Sequence, residues 1–277
     1  MRVALIGSPE KPAVPAMLER TRRWLDGKAE VVFCERTYES NRALTHRPDM
    51  LLVLGGDGTL LAAVRNLGTA QIPIVGVNLG KLGFLAEFTI EELEGESGFL
   101  FADGLPVTPR VMLDVRFRPT AGEGCDTLAV NDCVLFAGAP FRMIELSIEA
   151  DGEEVAEIRG DGLIISTASG STAHNLSAGG PILEPTAEAF VVTPICPHAL
   201  TFRPVVVHAD RKLRIRVGKS NENSQLTIDG FTRRRFSPGD SVEITRYPAK
   251  CLLVRNPRRS VWYALRRKLM WAQNPVQ

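Results

Sequence analysis

Two hydrophobic periods divide this chain. Over the first hundred residues, short apolar runs alternate with segments whose apolar positions recur at helical spacing. Residues 2–7 form an apolar run that stops at Gly7-Ser8-Pro9, the pattern of a buried strand ending in a turn. Met17, Leu18, Thr21 and Leu25 then share one helical face. Residues 30–34, 50–54 and 72–77 read as three more strands, and Leu60, Leu61, Val64 and Leu67 line a helix between the last two. Strands that alternate with helices predict parallel pairing in an α/β layer, with ligands at the carboxyl ends of the strands.

The pattern changes near residues 106–110. Beyond it come many short runs with a period of two, at 111–117, 128–135, 142–149, 163–166, 205–207, 213–217, 224–228 and 241–246. Turn signals such as Asp151-Gly152 and Pro238-Gly239-Asp240 separate them, which predicts an all-β sandwich. Residues 171–177 interrupt it with helix formers among glycines. At the end of the chain, Val261, Leu265, Leu269 and Ala272 share one face, with Arg266 and Arg267 opposite and Lys268 at the edge. This is an amphipathic helix expected to dock on the rest of the protein; a helix lying on a membrane surface is the sharper alternative.

Composition narrows the choice of partners. With 33 Lys and Arg against 32 Asp and Glu in 277 residues, charge gives no case for nucleic acid or for a polybasic membrane contact. No apolar run reaches the roughly 18 residues a bilayer crossing needs, and the N-terminus turns polar too soon for a signal peptide. Cys34, Cys125, Cys133, Cys196 and Cys251 are scattered without a C-x-x-C pair, so reduced thiols in a cytoplasmic protein are expected.

Three segments carry candidate chemistry. The first is Gly55-Gly56-Asp57-Gly58-Thr59, between a predicted strand and a predicted helix. Its glycines let backbone N–H groups approach an anion, and Asp57 is expected on a loop, free to meet a hydroxyl. A carboxylate beside a phosphate cradle suits phosphoryl transfer; the plainer alternative is that Asp57 or Thr59 only caps the helix. Neither G-x-G-x-x-G after a strand nor G-x-x-x-x-G-K-[ST] is present. The second segment, 76–84, ends in Phe84, which could stack on a planar ligand or belong to the core. The third, 160–181, concentrates Gly, Ser and Thr and offers short donors and backbone amides around a polar ligand, unless it is simply a long loop. Asn131-Asp132 adds an amide and a carboxylate suited to an adenine edge or a ribose.

Together these segments resemble the NAD kinase family, whose marks are a GGDGT loop, an Asn-Glu pair on a strand and a long D-G-x-x-x-S-T-x-x-G-S-T-A-Y-N-x-S-A-G-G-P segment. The likeness continues through Thr193-Pro194-Ile195-Cys196-Pro197-His198, Arg203-Pro204, Asp229-Gly230 and a tail from Tyr263 to Trp271. GGDGT alone is shared with diacylglycerol and sphingosine kinases; its combination with the long segment is what marks NAD kinases. The resemblance implies a Rossmann-like α/β domain over 1–108 and a β-sandwich over 109–254. A C-terminal segment, 255–277, would return to the first domain.

The resemblance also implies site roles. NAD would lie between the domains, Asp57 would activate the 2′-hydroxyl of the adenosine ribose beside Gly58, and Phe84 would line the nicotinamide side. Asn131 and Asp132 would hold ribose hydroxyls, and Thr172, Ala173, His174 and Ser177 would frame the adenine. Arg159 would meet the new 2′-phosphate, and Asp161 would reach in from a neighbouring subunit of a homodimer or homotetramer. Gly55, Gly56, Gly58 and Thr59 would form the phosphate loop; Mg²⁺ with ATP or polyphosphate would supply the phosphoryl group, and no protein metal ligand is expected. The sequence departs from the family pattern with Asp132 for glutamate, Ala168 for proline and His174 for tyrosine. A lipid kinase with the same loop and a non-catalytic NAD sensor are the rival readings.

Overall fold

The computed structural model describes residues 1–80, 83–95, 97–102, 104–260 and 262–270. Lys81 and Leu82 of the second glycine-rich segment, Val261 and Ala272 of the expected terminal helix, and Trp271 lie outside them. In chain order the first elements are β1 (Arg2–Gly7), α1 (Val14–Leu25), β2 (Glu30–Arg36), α2 (Asn41–Leu44), β3 (Met50–Gly55) and α3 (Asp57–Leu67). Next come β4 (Ile74–Asn78), α4 (Ile90–Gly95), a 3₁₀ turn (Ser97–Leu100) and β5 (Val107–Arg110). An all-β stretch follows: β6 (Leu113–Arg118), β7 (Cys125–Ala129), β8 (Asp132–Phe136), β9 (Ile144–Ala150), β10 (Glu153–Gly160) and β11 (Gly162–Thr167). After a 3₁₀ turn (Gly170–Thr172) and α5 (His174–Ser177) it resumes with β12 (Ala189–Ile195), β13 (Val205–His208), β14 (Leu213–Lys219), β15 (Gln225–Ile228), β16 (Thr232–Arg235) and β17 (Ser241–Arg246). The chain closes with β18 (Cys251–Val254) and α6 (Trp262–Leu269).

Two compact units result, one made of 1–109 with 251 onward and the other of 110–250. In the first, strands run in the order β2-β1-β3-β4-β18-β5, and the pairs from β2 through β18 are parallel. β1 beyond Arg2 and the whole of β3 are apolar and buried, as strands covered on both faces must be. α1 lays Val14, Leu18, Thr21 and Leu25 on this core. Because β1 has β2 on one side and β3 on the other, the connections leaving β1 and β3 go opposite ways. The loops at their carboxyl ends therefore flank a topological switch point, where such sheets bind ligands.

The second unit pairs two six-stranded antiparallel sheets, β10-β9-β14-β17-β6-β7 and β13-β12-β11-β8-β15-β16. One core joins them, with Val115, Ile148, Ile215 and Ile244 from the first sheet and Leu135, Ile165, Phe190 and Leu226 from the second. β6 and β14 alternate buried and exposed positions, the period-two signal of a sheet covered on one face. β11 is buried throughout, so alternation is weak there.

The structure corrects three expectations. The run 128–135 is two strands in different sheets, because the chain breaks at Val130 and Asn131 between β7 and β8. Residues 251–254, expected in the sandwich domain, form β18 and pair with β4 in the first sheet, since an apolar four-residue run carries no mark of which sheet it joins. The stretch at 106–110, where the hydrophobic pattern changes, holds β5, an end strand where Pro109 is tolerated. α6 buries Leu265 and is shorter than the expected 260–272 helix. Near it, Asn256 N–H donates to the Glu87 carboxylate at 2.9 Å, and the Arg259 guanidinium donates to Glu87 O and the Glu92 carboxylate.

Ile165 is fully buried in the sandwich core. Ile165→Ala is expected to destabilise that unit by about 2–5 kcal/mol, read as a lower denaturant midpoint for the 110–250 transition.

Candidate active site

In the first unit the site is built on the turn from β3 into α3. Gly56 takes the N-cap position with extended backbone, and Asp57 is the first residue of the helix rather than a loop residue as expected. The carboxylate does not cap its own helix. Its Oδ2 accepts the Phe84 N–H at 2.8 Å, and its Oδ1 accepts the N–H groups of Leu85 at 3.2 Å and Ala86 at 3.0 Å. A carboxylate has about four acceptor positions, so three donors leave one, on Oδ2. Thr59 contributes little as a cap, since Gly56 N–H lies 3.5 Å from its Oγ1.

The segment held by Asp57 follows β4 and runs back beside it. Asn78 N–H donates to Phe88 O at 2.7 Å, Phe88 N–H donates to Gly76 O at 3.1 Å, and Val77 bridges Phe88 in parallel. Gly83 is what allows the carboxylate so close: a Cβ there would lie 1.9 Å from Asp57 Oδ1. Phe84 is half-buried, and the Lys268 ammonium sits 4.5 Å from its ring centroid, a cation–π contact made from α6.

One residue here has no sequence signal. Lys11, in the turn after β1, places its Nζ 3.5 Å from where a Gly56 Cβ would be. A lysine in a turn is ordinary in sequence, and only the parallel pairing of β1 with β3 brings it to the glycine loop.

The second unit supplies the other candidates. Where β7 ends and β8 begins, the Asp229 carboxylate accepts three backbone N–H groups, of Val130 (2.8 Å), Asn131 (2.8 Å) and Asp132 (3.1 Å). The carbonyls of the same turn are also paired. Thr167 donates its hydroxyl to Val130 O at 2.6 Å and its N–H to Asn131 O at 2.9 Å, and Asp229 N–H donates to Asp132 O at 2.9 Å. With its backbone satisfied the turn is a fixed platform, yet Asn131 Oδ1 is buried without a partner. Ser169 Oγ, just before Gly170, is likewise buried and unpaired. Gly170 abuts the turn so closely that a Cβ would come within 2.1 Å of Asn131 O.

Asp132 is buried, and no described residue donates a hydrogen bond to its carboxylate. Loss of hydration, reinforced by the charge of Asp229, pushes its pKa up to about 7. Near neutrality it exists both as acid and as carboxylate, able to donate to a hydroxyl or to accept from one.

The long third segment divides its labour. Ser171 donates to Ala168 O at 2.7 Å and accepts Leu183 N–H at 3.0 Å. Asn175 donates to Ser171 O and Pro181 O, at 3.1 and 3.0 Å, and accepts the Thr193 hydroxyl at 2.6 Å. These groups, expected around a ligand, instead hold the segment together. Thr172 and Ala173 are half-buried, while His174 and Ser177 of α5 are exposed and open to a ligand. Arg159 is exposed on β10, with Glu145 and Glu157 at 3.5 and 3.9 Å, and the Asp161 side chain is exposed at the turn into β11. Thus Asp57, Gly55, Gly56, Gly58, Thr59 and Phe84 gather in the first unit, and Asn131, Asp132 and the long segment in the second. Lys11 and Ser169 join them as residues that motif reading alone does not single out, and Asp229, noted in the sequence only as part of an Asp-Gly pair, joins them through its bonds to the 130–132 turn.

Comparison with known proteins gives the family. Residues 5–97 match the family model described as the ATP-NAD kinase N-terminal domain, and residues 130–256 match the ATP-NAD kinase C-terminal domain. The chain is 35% identical over 273 residues to the NAD kinase of Rhodopirellula baltica, covering 98% of this chain and 87% of that protein. It is 41% identical over 225 residues to the NAD kinase of Geobacter sulfurreducens, covering 81% and 79%. Among solved structures, an NAD kinase from Archaeoglobus fulgidus in complex with ATP superposes with a TM-score of 0.75 at 28% identity, over 93% of this chain and 95% of that one. Yeast NADH kinase complexed with NADH shares the fold, with a TM-score of 0.85 at 24% identity, over 100% of this chain and 89% of that one.

Two outcomes follow from the geometry. Gly83→Ala must displace the Asp57 carboxylate, so the Phe84, Leu85 and Ala86 amides should exchange with solvent about 10- to 100-fold faster. Folded Asp132 holds its proton more tightly than the unfolded chain, so stability falls as pH rises from about 3.8 to about 7 and is level above. Asp132→Asn does not titrate, and its unfolding free energy, measured by denaturant titration, should therefore gain on the wild type across that window, by up to about 4 kcal/mol at pH 8.

Proposed function

We propose that this chain, which belongs to the NAD kinase family, phosphorylates the 2′-hydroxyl of the adenosine ribose of NAD and so makes NADP. The observation that carries the reading is the Asp57 carboxylate, fixed by three backbone N–H groups with one acceptor position left on Oδ2. A hydroxyl placed there is oriented by a group that cannot swing away. As its oxygen bonds to the terminal phosphorus of ATP, its proton passes to Asp57, and the bond from that phosphorus to ADP breaks.

Other residues take supporting roles. The Asn131 amide, with its unpaired Oδ1, and the Asp132 carboxyl bind the ribose hydroxyls. Thr172, Ala173, His174 and Ser177 frame the adenine, and Phe84 lines the nicotinamide side. Arg159 meets the 2′-phosphate, and the exposed Asp161 serves a neighbouring subunit of a homo-oligomer. Lys11 takes the donor phosphates. A cation beside the positive end of α3 is unfavourable unless an anion joins them, and no described carboxylate forms an ion pair with it. Mg²⁺ is expected to arrive with the donor's phosphates and to neutralise their charge. No described helix is long and apolar enough to cross a membrane.

The test is NADP formation from NAD and Mg²⁺ with ATP, polyphosphate being tried in parallel. Asp57→Asn should lower kcat by about 10²- to 10⁴-fold. Near-normal kcat with a raised KM for NAD would instead leave Asp57 only holding the ribose in place. Lys11→Gln, assayed at saturating NAD, should raise the KM for ATP by about 3- to 10-fold with little change in the KM for NAD.

A further inference from the structure

Outside the reacting groups, one carboxylate of the second unit collects three backbone N–H groups. Asp229 follows β15 with φ at +50°, a left-handed conformation that aspartate and asparagine tolerate better than most residues. That conformation puts its carboxylate under the 130–132 turn, which crosses between strands of different sheets and so has no ladder partner for its N–H groups. Asp229 is therefore the acceptor for all three donors of the turn, while its own N–H closes the loop onto Asp132 O.

We propose that Asp229 is a positioning residue for the nucleotide: by clamping this turn it sets the Asn131 amide and the Asp132 carboxyl in the one arrangement that matches a ribose. The inference rests on the reading that Asn131 and Asp132 bind NAD. Its physical basis is that hydrogen bonds from N–H groups to a charged acceptor are strong, and that three on one turn remove the backbone freedom a ligand would otherwise have to freeze. Asp229 itself need not touch NAD. Its loss weakens the binding of NAD and leaves the donor site and the chemical step alone.

The experiment is steady-state kinetics of the full chain with NAD and ATP varied separately. Asp229→Asn and Asp229→Gly both accept the left-handed backbone, so they remove the charge or the whole side chain without adding strain there. The expected result is a KM for NAD raised about 10-fold or more in both, with kcat and the KM for ATP within about 3-fold of wild type. Asn131→Ala, run alongside, separates the two claims. If it raises the KM for NAD while both Asp229 variants leave it within 2-fold, the role of Asp229 is overturned and the nucleotide reading stands. If Asn131→Ala leaves it unchanged, the nucleotide reading itself fails. Parallel losses in kcat and both KM values with a lowered melting temperature would make Asp229 merely structural and overturn the proposal. Should neither Asp229 variant fold, hydrogen exchange on the wild type decides: the amides of Val130, Asn131 and Asp132 must be protected, and exchange at the rate of open loops would overturn the clamp.

Discussion

Where a strand stops and the backbone must still be satisfied, this protein uses the carboxylate of an aspartate to collect several N–H groups at once. Asp57 does so for Phe84, Leu85 and Ala86, and Asp229 for Val130, Asn131 and Asp132. In both places backbone N–H groups outside the strand ladders are gathered by one carboxylate, and hydrogen bonds to a charged acceptor are about twice as strong as those to a neutral one. Both segments carry residues proposed to meet the nucleotide. The rigidity of the site therefore comes from side chains that hold backbone, rather than from ladders or helices.

Such clamps need backbone to approach very closely, and glycine is where that approach is made. A side chain at Gly83 would occupy the position of the Asp57 carboxylate, and one at Gly170 would collide with Asn131 O. These glycines matter for the atoms they leave out. The second clamp has an electrostatic consequence as well: the charge of Asp229 lies near the buried Asp132 and adds to the burial that raises its pKa to about 7. Burial is the larger cause of that rise and the neighbouring charge of Asp229 the smaller.

The long Gly-, Ser- and Thr-rich segment shows the same economy. Thr167, Ser171 and Asn175 are turned inward, bonded to carbonyls and hydroxyls of the second unit, so that a stretch too polar to form an apolar core is nonetheless buried and ordered. Only some of its residues, His174 and Ser177 among them, are left exposed. A polar segment that looks wholly like a ligand cradle is mostly its own scaffold.

Much of this was legible in the sequence. Apolar runs and helical spacing gave β1, α1, β3 and α3, because burial on both faces of a parallel sheet leaves a continuous apolar signature. Period-two alternation gave β6, β14 and β17, because one face of each meets the core. The order of glycines around Asp57, together with the 160–181 segment, identified the family. Other features depend on contacts between residues far apart in the chain, which no local pattern encodes. β18 joins the first sheet through β4, about 180 residues earlier in the chain, Lys11 meets Gly56 only because β1 pairs with β3, and the run 128–135 splits because Asp229 holds its break. Local sequence determined which residues are candidates for the chemistry; tertiary structure decided which atoms of those residues are already spoken for and which remain for a ligand, since hydrogen-bond capacity is finite and is divided only when distant segments meet.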